Sequence, residues 1–402
     1  MRREAWAVLL LFAFAVPWEY SLDLGEPLGN VARIAGVLLI AVAGIAVIMA
    51  GRIRAPGLMQ WLVMAFFLAL CCSYFWTVDQ EATLVRLRGY FQEMITVWLV
   101  WEFAERPEDL RALLRSYVAG SWVLAMLTLA NLNSPESADQ VRFAAAGQDP
   151  NDVARFLDLG FPMAALLLDG ETHWTRRVLA AGYLPLGFAG VLLTASRGGF
   201  LAAIVGLAGC AVLLLRHHAR AVLAGALALP AVVVALWFVM PRAALQRILT
   251  IPEQLQRGDL NQRLNIWAAG WQAFVHAPFF GTGTGTFVAA AGVAPIDTAH
   301  NTVLSIAVEG GVCTLLLAAA IVVAAACLVL KMTGAVRIAM ATGLLVWLTT
   351  SLVATVEESR TTWLLLALIA LAARLADEDP GGMTRCFAPP VTMAPLAAVL
   401  EP

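Results

Sequence analysis

Charge is what this sequence has least of. Asp, Glu, Lys and Arg make up 13% of the 402 residues, whereas soluble domains carry roughly 25%. Apolar residues rise to 61% and mean hydropathy to +0.79. These values exclude an ordinary soluble domain and indicate an integral membrane protein. No basic tract is present and the net charge is −2, so nothing points to nucleic acid. The six cysteines, Cys71, Cys72, Cys210, Cys313, Cys327 and Cys386, lie mostly in apolar runs. They lack the spacing of a zinc site or a disulfide framework and read as small buried hydrophobes. No metal and no cofactor is expected. No repeat occurs at a solenoid period. Nucleotide motifs are missing as well. The stretch GTGTGT at 281–286 has no P-loop lysine, has Thr286 where a dinucleotide fingerprint needs its last glycine, and sits in no βαβ unit.

Apolar runs are what remains. A bilayer core takes about 20 residues of helix. Runs centre near Leu11, Leu39, Phe66, Thr96, Leu124, Met163, Phe188, Val205, Val232, Leu317, Leu345 and Ala367, which makes about twelve expected spans. The first is short and follows MRRE. Only VPWEYSLD follows it, without a small-residue cleavage site, so it reads as a retained helix. One set of loops holds Arg2, Arg3, Arg52, Arg54, Arg106, Arg111, Arg115, Arg176, Arg177, Arg216, Arg220, Lys331 and Arg337. The positive-inside rule places this set, and with it both termini, in the cytoplasm. Residues 1–240 are then nine spans, 241–300 an outer loop, 301–376 three spans, and 377–402 a disordered cytoplasmic tail rich in proline and small residues.

The long outer loop is not featureless, and long loops tend to be functional. In DLNQRLNIWAAGWQAFVHA, Leu260, Leu264, Trp267, Trp271 and Phe274 recur at helical spacing. Asp259 or Asn261 can cap that helix. An amphipathic helix on the membrane surface is expected, its tryptophans suited to the interface. Arg263 borders the apolar stripe; His276 falls on the polar face and reads as solvated. GTGTGT follows as a turn.

Three features meet on the outer side. Arg197 sits in a very short turn, TASRGG, where a charge at the membrane boundary is either functional or snorkels to headgroups. Arg263 is a binding cation, a surface charge, or a cation stacked on Trp267. In DTAHNTVLSIAVEGG, His300 and Asn301 open the next span with Asp297 three residues earlier. There the competing reading is an N-cap by Asp297, Thr298 or Asn301, with His300 incidental. In AGQDPNDVARF, Asp149 and Asp152 fit either a divalent cation or, with more weight, a helix start at Pro150. Arg142, Glu309 and the Glu357–Glu358–Arg360 run complete the outer polar set. There Glu357 or Glu358 can pair with Arg360 or orient a working arginine.

The order DPND, then SRGG, then RLNIWAAGWQAFVHAPFFGTGTGTF, then AHNTVLSIAVEGG resembles the O-antigen ligase family of bacterial envelope enzymes. That family includes ligases, O-antigen and exopolysaccharide polymerases and protein O-oligosaccharyltransferases. The resemblance spans about Asp149 to Gly311. It implies an all-α polytopic membrane fold of the GT-C type. It also implies metal-independent, inverting transfer of a glycan from undecaprenyl pyrophosphate to an acceptor, such as a lipid A–core sugar, on the periplasmic face of the inner membrane. On this resemblance Arg197 and Arg263 bind pyrophosphate and His300 acts with them in catalysis. Asn301, Asp297, Arg142 and Arg360 support them, and GTGTGT is scaffold.

Two other classes compete. A transporter would gather polar groups near the midplane, whereas here they gather at the outer mouth and span interiors read as poor in charge. A serine hydrolase using Ser196 with His300 lacks the G-x-S-x-G elbow, because Thr194 holds the first glycine's place.

Overall fold

The computed structural model describes residues 1–25, 29–132, 142–239, 242–250, 262–294 and 297–388. Among the described residues the only β feature is an isolated bridge between Asp23 and Asn30. The chain is otherwise a bundle of helices: α1 (Arg2–Ala15), α2 (Val31–Ala50), α3 (Leu58–Cys72), α4 (Gln80–Phe103), α5 (Pro107–Asn131), α6 (Pro150–Gly170) and α7 (Trp174–Leu193). They continue with α8 (Arg197–Val239), α9 (Arg242–Leu249), α10 (Arg263–His276), α11 (Phe287–Ala291), α12 (Thr302–Lys331), α13 (Gly334–Ser351), α14 (Arg360–Glu378) and α15 (Pro380–Phe387).

Among the described residues, seven helices are long and apolar enough to cross a membrane: α2, α3 with the turn after it, α5, α7, the Arg197–Ala219 part of α8, α12 and α13. The other expected spans also fall on helices: α1 is short, α4, α6 and α14 carry charges, and the run near Val232 is the second half of α8. α1 has 14 residues. α4 and α6 carry charges along their length and α14 near its ends; α6 and α14 sit inside the bundle, whereas α4 buries one face only. Every residue from Arg360 to Leu375 of α14 is buried, and so is every residue from Val153 to Leu167 of α6. Charge is costly in lipid, so charged helices take the interior, where protein groups can face the charge. Span interiors are therefore less poor in charge than the sequence suggests. Glu93 on α4 and Asp158 on α6 are both buried.

At ~1.5 Å per residue, the 43 residues of α8 would reach about 65 Å, twice the roughly 30 Å hydrocarbon core. The helix leaves helical geometry at His218 (φ −128°, ψ 34°). The turn expected between two spans is this break, with Arg216 and Arg220 still helical. Asp169 Oδ1 lies 3.4 Å from His218 Nε2 and Arg177 Nη2 lies 3.4 Å from Nδ1.

The helix ends that carry the basic set meet one another at one end of the bundle. Arg2 pairs with Glu102 and Glu105, Arg54 with Glu105 and Glu378, and Arg115 with Glu171. Part of the expected loose tail also docks here. Asp379 caps α15 through Gly382 N–H at 2.8 Å, and Met383, Cys386 and Phe387 are buried. Arg111 lies over the Phe387 ring at 5.2 Å. An apolar face at 383, 386 and 387 is too short to register as a periodic run, which is why the segment reads as loose from sequence. Residues 389–402 lie outside the described set.

Candidate active site

Three non-glycine residues among those described hold a left-handed backbone: Ala195 (φ 48°), Gln262 (φ 63°) and His300 (φ 45°). Each conformation costs about 1–3 kcal/mol and persists where surrounding structure enforces it. Ala195 lies two residues before Arg197, Gln262 adjoins Arg263, and His300 is itself a candidate. Strain therefore falls on all three segments singled out in the sequence.

The site is built around Asn151. Asp149 caps α6, its side chain accepting from Asn151 N–H at 2.7 Å. This holds Asn151 at the helix entrance, where its Oδ1 accepts from Arg142 Nη2 at 2.7 Å and from Ser196 Oγ at 2.9 Å. Arg142 Nε also donates to Thr194 O at 3.1 Å, binding the 142–149 loop to the turn before α8. Ser196 Oγ accepts from Gly199 N–H at 3.2 Å, an N-cap arrangement. The hydroxyl is thus committed to structure, which removes the basis for a Ser196 nucleophile.

One turn into α6 lies Arg155, which the sequence places among the outer polar groups of AGQDPNDVARF without a role. Arg155 is 8% exposed, and Asp152 Oδ1 lies 3.1 Å from its Nη2. Its Nε and Nη1 are buried without a hydrogen-bond partner. It lines one cavity with Arg263, Asn151 and Ser196. An arginine within an apolar helix was the available signal, but DPND drew attention to the cap.

Arg263 begins α10. The helix starts at Gln262 with no side-chain cap; the expected caps, Asp259 and Asn261, and the stripe residue Leu260 lie outside the described residues. The face packed on protein is Ile266, Gly270 and Ala273. A Cβ on Gly270 would come within 2.9 Å of Phe287 and 3.0 Å of Leu304, so the small residue permits this close fit. Leu264, Trp271 and Val275 remain exposed. The stripe thus splits between protein and surroundings. Trp267 is the exception: its Nε1 donates to Ala299 O at 2.9 Å and fixes α10 beside His300.

Arg197, at the start of α8, reaches the far end of α9. Its Nε donates to Arg247 O at 3.1 Å and its Nη2 to Thr250 Oγ1 at 2.7 Å. A cation is favourable at such a carbonyl-rich helix end. Burial lowers the pKa of Arg263, and the charges of Arg197 and Arg247 lower it further, with Asp149 opposing. Burial likewise lowers that of Arg142, where Asp149 opposes and Arg247, Arg263 and Arg197 add to the lowering. The pocket is thus crowded with positive charge.

His300 is half-buried at the entrance of α12. Burial lowers its pKa from the usual 6.5, as do Arg263 and Arg142; Asp149 and Asp297 oppose. Burial and the two arginines thus favour the neutral ring. Its Nδ1 faces Thr298 Oγ1 at 3.3 Å. Asn301 does not orient it by hydrogen bond: its Oδ1 caps α12 through Leu304 N–H and its Nδ2 donates to Leu352 O. Asp297 acts on the histidine through charge. Arg360 is drawn elsewhere, into a buried ion pair with Glu19 from the turn Val16–Ser21. The expected pairing with the adjacent glutamates is replaced because Glu358 pairs with Arg86, and burial, with the charge of Glu358, raises the Glu357 pKa.

The glycine stretch is an anion cradle filled from within. Gly285 N–H donates to Glu309 Oε2 at 2.7 Å and Phe287 N–H to Oε1 at 3.2 Å. α12 breaks at Gly311 (φ 65°, ψ −171°), and the 278–283 strand of loop fills the gap. Val312 N–H donates to Pro278 O at 2.8 Å, and Thr282 N–H to Val308 O and Gly283 N–H to Glu309 O, both at 2.9 Å. A Cβ at Gly311 would run into the Phe279 carbonyl. On its other side the loop is tied to Ser73 and Thr83 through Thr284. The stretch is rigid scaffold joining α3, α4 and α12.

Residues 182–319 match the protein family described as O-antigen ligase. No curated protein matches the chain. The matched span contains Arg197, Arg263 and His300, while Arg142 and Arg155 precede it. Over residues 182–319 the chain is thus similar to the O-antigen ligase family.

Proposed function

We propose that this protein transfers a glycan from undecaprenyl pyrophosphate to an acceptor hydroxyl, a lipid A–core sugar, at the periplasmic face of the bacterial inner membrane. The supporting observation is a cluster of arginines around a histidine held toward its neutral form: Arg263 and Arg142 act on His300 by charge, Arg197 acts on both of those arginines, and Arg155 lines a small cavity with Arg263. Guanidinium groups match phosphate oxygens bidentately and stay charged in partly dry sites. The arginines hold the diphosphate and stabilise the charge that builds on it as it leaves, without need of a metal.

The acceptor oxygen attacks the anomeric carbon. The bond from that carbon to the diphosphate oxygen breaks, and its electron pair leaves with the diphosphate. His300, held toward its neutral form, takes the hydroxyl proton. One displacement inverts the anomeric centre. We place both termini in the cytoplasm, twelve spans in a GT-C arrangement, and the pocket outside.

A deletion in the native host tests this, with surface glycan and lipid-linked glycan resolved side by side. Loss of long surface chains with polymer accumulating on the carrier is the expected result. Surface chains cut to one repeat would make the protein a polymerase. No change in either pool would overturn the lipopolysaccharide assignment and favour a protein acceptor or a transported solute.

A further inference from the structure

A proton taken up by His300 creates a problem of charge. The imidazolium would stand among cations, because Arg263 at the start of α10 and Arg142 on the loop before α6 both act on the ring by charge. Thr298 Oγ1, 3.3 Å from Nδ1, carries no charge to answer them. Two carboxylates do oppose them, Asp149 and Asp297.

The two are held differently. Asp297 lies on the loop that leads into His300. Its backbone N–H donates to Ala294 O at 2.8 Å, but its carboxylate has no hydrogen bond among the described residues. Asp149 comes from another element and is locked. Its Oδ1 accepts from Asn151 N–H at 2.7 Å, and Asn151 is fixed in turn by Arg142 and Ser196. The loop is also pinned from behind. Gln148 Nε2 donates to Ser21 Oγ at 2.9 Å, and a Cβ on Gly147 would run into the Tyr20 carbonyl. Asn151 shares a cavity with Arg263, whose helix Trp267 fixes beside His300. Asp149 thus acts by charge on Arg142, Arg263 and His300 alike, while forming an ion pair with none of them among the described residues. It is exposed, so its charge carries no burial penalty. Capping explains the side chain but not the charge, since Asn and Ser cap as well.

We propose that Asp149 is a positioning residue for the transfer step and acts through His300: its fixed carboxylate offsets the positive charge that the ring gains when the acceptor hydroxyl's proton moves to a ring nitrogen. The carboxylate takes no proton, and the acceptor oxygen keeps the electron pair with which it attacks. This rests on the glycan-transfer reading above.

The test is a pH titration of the full-length protein by NMR, with histidine ring nitrogens isotopically labelled. The chain has five histidines, and His300→Asn assigns the resonance. Asp149→Asn keeps the cap and removes the charge. Its His300 midpoint should fall below the wild-type value, and Asp149→Ser, a second uncharged cap, should do the same. In transfer assays the acid limb should move down with the midpoint. At neutral pH kcat should fall several-fold, because a weaker base accepts the proton less well. KM for the lipid-diphosphate donor should not rise, because a negative charge facing the arginines is gone. An unmoved or raised midpoint in both variants, or a lower kcat with a raised donor KM and an unmoved acid limb, would overturn the proposal. Wild-type protein that transfers no glycan would instead overturn the glycan-transfer reading, and the midpoints would still show whether Asp149 acts on His300.

Discussion

Arg155 offers the sharpest separation of structural from functional roles. Its Nη2 is answered by Asp152, while Nε and Nη1 are buried and unpartnered. Replacing a buried ion pair by apolar groups of similar volume is often neutral or stabilising, by up to about 4 kcal/mol. Arg155→Met alone leaves Asp152 without its partner and should melt lower, whereas the double variant Arg155→Met/Asp152→Leu removes the whole pair and should melt near the wild-type temperature. If the two free donors bind the diphosphate, their loss removes two charge-assisted hydrogen bonds of about 1.5–3 kcal/mol each. At ~1.36 kcal/mol per decade, transfer should fall by roughly two to four orders of magnitude. Both quantities are read on one preparation, by thermal melting in detergent and by transfer from a lipid-diphosphate glycan. A variant that melts lower and loses activity only in proportion to its folded fraction would make Arg155 a structural residue. A fully active variant would remove it from the site.

Other consequences follow from the same geometry. Arg197→Lys keeps the charge but cannot reproduce the paired donation to Arg247 O and Thr250 Oγ1; transfer should drop by at least about tenfold, the scale of one lost hydrogen bond to a charged group, and full activity would reduce Arg197 to a lipid anchor. His300→Asn keeps a residue that tolerates the left-handed backbone; it should fold normally and stop transfer, and near wild-type transfer would exclude His300 as the base. Because burial, then Arg263, lowers the His300 pKa, the neutral base persists below pH 6.5, so the acid limb of the rate profile should lie below that value. The stability contribution has the same sign: it is present above about 6.5, the unfolded value, and is lost as pH falls through the lower folded value. The residual activity of Arg263→Gln should show its acid limb shifted upward. Gly311→Ala forces a side chain into a glycine-only backbone region against Phe279, at a cost of roughly 1–3 kcal/mol, read as a lower melting temperature.

The site was legible where local order carried it. Arg197, Arg263 and His300 stood out because each charged or polar group interrupts an apolar sequence, and the DPND start of α6 announced its own cap. Spans were legible wherever a run stayed apolar. What was hidden depended on which face a helix buries. Arg155 looks like any arginine until the cavity shows two of its donors unanswered. The real packing face of α10, Ile266, Gly270 and Ala273, carries smaller side chains than the Leu264–Trp271 side that stays exposed. Glu309 reads as a charge in a span, but its carboxylate fills the glycine cradle 24 residues upstream. Arg360 finds Glu19 across more than 300 residues of chain, a pairing no local window contains.

The most direct measurement is transfer by the purified protein reconstituted in vesicles with an undecaprenyl-pyrophosphate glycan and a lipid A–core acceptor. The account predicts one linked product of inverted anomeric configuration per undecaprenyl pyrophosphate released, with neither formed by His300→Asn. Donor left intact by active-site-competent wild-type protein, or consumed at the same rate without acceptor, would contradict it.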